Sequence, residues 1–155
     1  MGKTKKVKGT KQTLEYTEPE FKWHVPRIKC KNQRQKEFLK LMESQEVVIA
    51  DGYIGSGKTY LAVYQALKDL EKGVVKKVVL VKSVVPIEGE DIGSLPGSVN
   101  EKIFPYMLSM LGNIDKLIGE EARKHLMKEH RIEFQPICFI RGINLDNCWV
   151  IIDEA

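Results

Sequence analysis

The sequence VVIADGYIGSGKT occupies residues 47–59 and decides the predicted fold. It begins with four apolar residues in a row, and continuous apolarity of this length predicts a central strand of a parallel sheet, buried on both faces. A glycine-rich turn follows, and residues 58–71 then carry the propensities of a helix that ends near Gly73. A strand, a glycine turn and a helix in this order form the context in which proteins bind phosphate groups.

Residues 52–59 match the pattern G-x-x-x-x-G-K-[ST] in full, and we refer to them as the phosphate loop. Glycines permit the backbone angles that turn several N–H groups inward, and the partly positive helix N-terminus attracts the anion. Lys58 is predicted to neutralise charge on the β- and γ-phosphates of a nucleoside triphosphate, and the Thr59 hydroxyl is predicted to ligate Mg²⁺. The alternative is a glycine-rich turn that starts a helix and binds nothing. The predicted nucleotide-binding residues of this segment are Gly52, Tyr53, Ile54, Gly55, Ser56, Gly57, Lys58, Thr59 and Tyr60.

A second candidate segment lies at the end of the sequence. Residues 149–152 predict a buried strand, and Asp153 and Glu154 follow at its carboxyl end, where open α/β sheets bind ligands. Asp153 is predicted to hold Mg²⁺ through a water, and Glu154 to orient or deprotonate the water that attacks the γ-phosphate. The predicted catalytic residues are therefore Glu154 and Lys58, and the adjacent glutamate favours a hydrolase over a small-molecule kinase. The alternative is a strand that merely leaves the sheet into solvent.

The remaining sequence alternates helices and strands. Asn32 can cap a helix over residues 33–44, and a helix that begins near residue 99 is expected to bend or lose its first turn at Pro105. Residues 83–97, rich in glycine and proline, predict a long loop. The alternation indicates an α/β fold with a mostly parallel sheet and helices on both faces. The other predicted elements are a strand at 78–81, a helix at 119–129 and one or two strands within 132–140.

Length and composition limit the class of protein. The chain has 155 residues, of which 43% are apolar and 30% are charged, and these values predict one globular domain in solution. No run of about 18 apolar residues exists, so neither a membrane span nor a membrane partner is predicted. Three cysteines without a C-x-x-C spacing argue against disulfides and zinc, and we expect a reduced, cytoplasmic protein.

The net charge of +4 is unevenly distributed along the chain. Residues 1–40 hold 12 Lys/Arg against 4 Asp/Glu, whereas residues 41–155 hold 13 against 17. Residues 1–13 are predicted to be a basic disordered tail, which leaves residues 14–155 as the folded domain. Two interpretations of the tail stay open: a tether for nucleic acid, or a segment that keeps the protein soluble.

Several motifs together resemble the PhoH-like family, P-loop ATPases that are related to superfamily-1 helicases. They include an N-x-x-Q-x-x-aromatic signature, the phosphate loop with its helix, and a long segment similar to the family pattern GE-x-x-G-x-LPG…K…PY. An RG pair and the final DEA resemble two further motifs of the family. The segments that carry the resemblance, which covers residues 30–155, are Asn32 with Gln35 and Phe38, residues 52–64, residues 89–106, Arg141 with Gly142, and residues 153–155.

The resemblance implies a RecA-like P-loop NTPase fold and an ATP-binding, Mg²⁺-dependent ATPase. It also implies that Gln35 contacts the adenine base, for which a solvent-facing helix residue is the alternative. Coupling to RNA or another nucleic acid follows from the family in the same way. So does a homo-oligomeric ring in which a neighbouring subunit supplies an arginine to the site.

The sequence departs from the family pattern at two places. Lys82-Ser83 stands where many relatives carry Arg-Pro, and lysine lacks the forked phosphate contact of arginine. The family also continues past DEA into a GD-x-x-Q sensor segment, so we expect a truncated chain in which the C-terminal part of the sheet is missing. Without that segment, one alternative function is a nucleotide-binding fragment without turnover. The basic N-terminus gives a second alternative, a nucleic-acid-binding adaptor.

Overall fold

The computed structural model describes residues 21–82, 99–137 and 140–153, with the backbone alone for residues 99–106. Within these ranges the chain forms four helices and three strands, in agreement with the predicted α/β class. No helix among them combines the length and the apolarity that a membrane span requires. The elements are α1 (Gln33–Ser44), α2 (Lys58–Glu71), β1 (Lys77–Lys82), α3 (Val99–Ile118), α4 (Glu120–Lys128), β2 (Ile132–Pro136) and β3 (Cys148–Asp153).

Local sequence signals set the ends of the helices, and the predicted bounds of α1 and α2 are confirmed. The Asn32 side chain caps α1 by accepting a hydrogen bond from the Gln35 N–H at 2.9 Å. Gly73, with a φ of 71°, follows the end of α2, and Gly119, with a φ of 83°, separates α3 from α4. Both angles lie in the left-handed region, which glycine adopts without steric cost.

The third helix contradicts one of the two outcomes predicted at Pro105, the loss of its first turn, whereas the bend stays a prediction. It runs without interruption over Val99–Ile118, so no first turn is split off. A proline inside a helix removes one backbone hydrogen bond, whereas the later part of α3 buries Met107, Met110 and Ile114 in the core. Burial of these large side chains stabilises the helix by more than one hydrogen bond contributes.

The three strands form one parallel sheet in the order β2-β1-β3. Leu80 of β1 lies opposite Phe134 of β2 and Ile151 of β3, and this pairing fixes the register across the sheet. Parallel strands joined through helices are typical of doubly wound α/β proteins. The described sheet and helices form part of a RecA-like P-loop fold.

The hydrophobic core lies against one face of this sheet. Leu80, Ile132 and Ile151 share that face and are buried together with side chains of α2, α3 and α4. Val79 and Val81 lie on the opposite face of β1 and are fully buried as well, as expected for a central parallel strand. Coverage of that second face by helices stays a prediction.

The predicted strand at residues 47–50 is wrong. The segment belongs to no sheet, and its side chains Val47 and Ile49 are 80% and 93% exposed. In the described sheet β2 and β3 are the edge strands, and no described residue pairs with the segment. An apolar run becomes a strand only where a neighbouring backbone satisfies its hydrogen bonds. The run therefore leads into the phosphate loop as chain outside the sheet.

Three predictions fall on residues outside the described ranges. They are the basic tail at residues 1–13, the long loop at 83–97 with its family-like segment, and the catalytic role of Glu154. All three stay predictions. The folded domain that is expected from residue 14 is described from residue 21 onward.

Candidate nucleotide-binding site

The phosphate loop (residues 52–59) ends in the first turn of α2. Its three glycines have positive φ angles, 152° at Gly52, 78° at Gly55 and 90° at Gly57. No described side chain caps α2 at Gly57, and no acidic residue lies in the first turn of that helix. Since the first N–H groups of a helix have no partner within it, they can bind an anion, which the helix dipole also favours.

The Lys58 ammonium group folds back onto the loop that precedes it. Its Nζ donates to the carbonyl oxygens of Gly52 at 2.6 Å and Tyr53 at 3.0 Å, and lies 3.4 Å from Ser56 Oγ. These acceptors are neutral, and an ammonium group forms stronger, charge-assisted hydrogen bonds with phosphate oxygens. The loop therefore holds Lys58 where an anionic ligand can replace the carbonyl groups as its partner.

Gln35 connects α1 to the phosphate loop. Its Nε2 donates to the Ser56 carbonyl oxygen at 3.0 Å, and its Oε1 accepts from the Lys31 N–H at 2.7 Å. An ion pair of 3.0 Å between Glu43 of α1 and Lys68 of α2 also links the two helices, and its hydrogen bond raises the pKa of Lys68. Because a side-chain amide has two N–H donors and two acceptor lone pairs, these bonds leave capacity for a ligand. An adenine contact by Gln35 stays a prediction.

Thr59 and Asp153 meet beside the loop, although 94 positions separate them in the sequence. Thr59 Oγ1 donates to Asp153 Oδ1 at 2.9 Å, between the first turn of α2 and the last residue of β3. Hydroxyl and carboxylate oxygens suit Mg²⁺, which commonly takes one or two protein ligands together with waters and phosphate oxygens. The pair therefore fits a Mg²⁺ ion shared with a nucleotide. Within the described ranges, no group of three or more His, Cys, Asp or Glu residues forms a metal site of its own.

The other predicted site residues lie in different environments. Tyr53 and Ile54 are exposed on the turn of the loop, whereas Tyr60 is partly buried against the core. Glu154 lies outside the described residues, so its role beside the attacking water is untested. The structure brings Gln35 and Asp153 together with Lys58 and Thr59 around the phosphate loop.

A polar cluster between α2 and β3 was not predicted from the sequence. Trp149 Nε1 donates to Asp69 Oδ2 at 2.9 Å, and Gln65 Nε2 donates to both Asp69 carboxylate oxygens at 3.1 Å. The i, i+4 spacing of Gln65 and Asp69 is a signal for a pair on one helix. Nothing in the sequence connects that pair to a tryptophan 80 positions later.

Replacement of Gly57 by alanine is expected to distort the loop. A Cβ at this position lies 3.3 Å from Gln35 Nε2, and the φ of 90° strains any L-residue. We expect the free energy of unfolding to fall by about 1–2 kcal/mol and ATP binding to weaken. Gly73→Ala is the matched control, because φ there is 71° and its added Cβ has no atom within 4 Å. Urea unfolding and ATP titration check both variants, and equal ATP affinity in the two would contradict the expectation.

A parallel sheet, a glycine loop at the start of α2, and a threonine–aspartate pair at the carboxyl end of β3 define an α/β protein with a partial RecA-like fold. Comparison with protein families agrees with this class. Residues 27–155 match the family model described as PhoH-like protein, and the chain belongs to this family.

Individual relatives in this family are longer than the chain. The chain is 34% identical over 151 residues to the PhoH-like protein of Bacillus subtilis, a match that covers 94% of this chain and 47% of that protein. Identity is 31% over 128 residues with the PhoH-like protein of Synechocystis, covering 83% of this chain and 39% of the relative. It is 29% over 130 residues with Protein PhoH of Escherichia coli, covering 83% and 36%. The chain therefore spans less than half the length of each of these relatives.

Proposed function

We propose that the chain binds ATP together with Mg²⁺ and hydrolyses it to ADP and phosphate in the cytoplasm. The observation that carries the proposal is the 2.9 Å contact between Thr59 Oγ1 and Asp153 Oδ1 beside the phosphate loop. When bound there, Mg²⁺ supplies charge neutralisation at the phosphate groups. Lys58 adds a positive charge on the side of the loop, and Glu154 holds the attacking water as a general base.

Phosphate release from ATP, measured with malachite green on the folded chain, tests the proposal. We expect release that depends on Mg²⁺, and we expect Glu154→Gln to lower it about 100-fold or more while ATP binding persists. Glu46→Gln replaces an exposed glutamate ahead of the loop and is the control that should leave release unchanged. Flat calorimetric heats at millimolar ATP with Mg²⁺ would overturn nucleotide binding itself.

A second candidate function is nucleotide binding without turnover, and the position of residues 47–50 favours it. Val47 and Ile49 are exposed, so no sheet supports the segment that leads into the phosphate loop. Catalysis needs rigid support of the reacting groups, since a displacement of about 1 Å can cost about 100-fold in rate. ATP binding without phosphate release, in the same pair of measurements, supports this candidate over hydrolysis.

We also propose RNA or another nucleic acid as the partner of this site. Within residues 21–40, seven exposed lysine and arginine side chains stand against one glutamate. Such cations bind nucleic acid by releasing counterions from the phosphate backbone. The α1 helix joins this basic surface to the phosphate loop through the bond from Gln35 to Ser56. The seven residues are Lys22, Arg27, Lys29, Lys31, Arg34, Lys36 and Lys40.

A further inference from the structure

The α2 helix lies antiparallel to β3 and is bonded to it near both ends. Near the start of α2, Thr59 Oγ1 donates to Asp153 Oδ1 at the end of β3 (2.9 Å). Near the end of α2, Asp69 Oδ2 accepts a hydrogen bond from Trp149 Nε1 at the beginning of β3 (2.9 Å). The two bonds connect the helix that starts in the phosphate loop with the strand that carries the acidic ligand.

The two bonds are spaced almost equally on the helix and on the strand. Residues 59 to 69 of α2 span about 15 Å along the helix axis. Residues 149 to 153 of β3 span about 13 Å. Because these lengths nearly match, the second bond fixes how far α2 extends along β3. A slide of α2 by one helical turn, about 5.4 Å, would carry both bonds beyond hydrogen-bond range.

Apolar packing alone does not fix the position of α2 along the strand. Ala66 and Leu70 of α2 and Ile151 of β3 are buried in one core cluster, but burial of apolar surface is non-directional. A hydrogen bond restricts both distance and angle, and an ionised acceptor strengthens it. The bond from Trp149 to Asp69 is therefore the bond between α2 and β3 that can set the register opposite the phosphate-loop end. On the β2 side, Arg131 Nη2 donates to the Leu70 carbonyl oxygen of α2 at 3.2 Å.

Gln65 orients the Asp69 carboxylate. Gln65 is only 2% exposed, and its Nε2 lies 3.1 Å from each of the two carboxylate oxygens. Its Oε1 is buried and has no hydrogen-bond partner among the described residues. A buried oxygen without a partner is destabilising. The buried position of Gln65 is therefore better explained by its hydrogen bonds to Asp69 than by a contribution to the stability of the fold.

We propose that Asp69 and Trp149 are positioning residues, which hold Thr59 Oγ1 and the Asp153 carboxylate at the separation that ligation of a nucleotide-bound Mg²⁺ requires. Neither residue touches the nucleotide, since both act through the placement of α2 against β3. The Mg²⁺ part of the inference rests on the proposed function. The positioning itself is a property of the nucleotide-free protein.

Four variants test the proposal. Trp149→Phe keeps an aromatic ring and removes the N–H donor. Trp23→Phe is its matched control, because the phenyl ring keeps an aromatic face for Arg131, which lies 5.9 Å from the centroid of the Trp23 ring. Asp69→Ala removes the acceptor from the helix side, whereas Asp69→Asn retains an acceptor oxygen. The first readout is the position of the Thr59 and Asp153 backbone amide resonances in NMR spectra of nucleotide-free protein. The second is the gain in affinity for mant-ATP on addition of MgCl₂.

We expect Trp149→Phe and Asp69→Ala to shift both amide resonances and to reduce the Mg²⁺-dependent gain in mant-ATP affinity about tenfold. The affinity without Mg²⁺ should not change. The control should keep wild-type values in both readouts, and Asp69→Asn, which retains one acceptor oxygen without the charge, should lie between wild type and Asp69→Ala. Unshifted amide resonances in both disrupting variants, with spectra of a folded protein, would overturn the proposal. If Mg²⁺ gives the wild-type protein no gain in mant-ATP affinity, the proposed function fails, and the amide resonances alone still decide the positioning role.

Discussion

Lys58→Ala is expected to weaken ATP binding about 100-fold, to a similar extent with and without Mg²⁺. In the nucleotide-free protein the Lys58 ammonium donates to the Gly52 carbonyl oxygen at 2.6 Å, so it already lies beside the glycine turn. ATP would replace this neutral acceptor by charged phosphate oxygens. Hydrogen bonds to charged groups contribute up to about 3 kcal/mol, which corresponds to about 100-fold in the dissociation constant.

Calorimetric titration with ATP measures this effect, and Lys72→Ala is the matched control. Lys72 is exposed and directly follows α2, about 21 Å along the helix axis from Lys58. Both variants lose the same formal charge, so a long-range electrostatic effect would appear in both. Equal weakening in the two variants would contradict a local role of Lys58. The unfolding temperature should change little, because the partners of Lys58 belong to an exposed turn.

The helices and three of the strands could be predicted because their signals are local. Asn32 marks the start of α1 and Gly73 the end of α2, and each acts within a few residues of the backbone it terminates. The apolar run in β1 was predicted as a buried strand, and β1 is buried between two parallel neighbours. For these segments, the local preference and the tertiary environment agree.

Residues 47–50 show where local signals fail. All four residues are apolar, as in the β1 run, yet the segment lies outside the sheet with Val47 and Ile49 exposed. Strand formation depends on a partner backbone, and no short window of sequence contains the partner. A continuous apolar run therefore predicts the capacity to pair, not the pairing.

The site could be predicted in part for a related reason. Thr59 and Asp153 belong to motifs whose chemistry requires them to meet, and the parallel topology brings both to the carboxyl end of β3. Asp69 and Trp149 belong to no motif, so their bond across 80 positions appears only in the structure. The contacts of Lys58 with loop carbonyls were equally unpredictable, because they depend on how the glycine turn folds.

Asp153→Asn is expected to weaken ATP binding in the presence of Mg²⁺ but not in its absence. The asparagine side chain keeps an oxygen that can accept from Thr59 Oγ1, which is 2.9 Å from the carboxylate, so the fold should persist. Without Mg²⁺, the variant loses a negative charge that repels the phosphates, and ATP should bind as well or better. With Mg²⁺, the loss of the carboxylate that is predicted to hold the ion through a water should reduce the metal-dependent gain in affinity by about 100-fold.

The ratio of ATP dissociation constants with and without MgCl₂ isolates this effect from general damage to the site. Asp146→Asn makes the same chemical change at an exposed position in the turn before β3, and it should leave the ratio unchanged. Lys58→Ala should weaken binding in both conditions and also leave the ratio nearly unchanged, because its charge acts on the phosphates directly. Equal weakening by Asp153→Asn in both conditions would exclude Asp153 as a metal ligand. In that case, the bond between Thr59 and Asp153 would have a structural role alone.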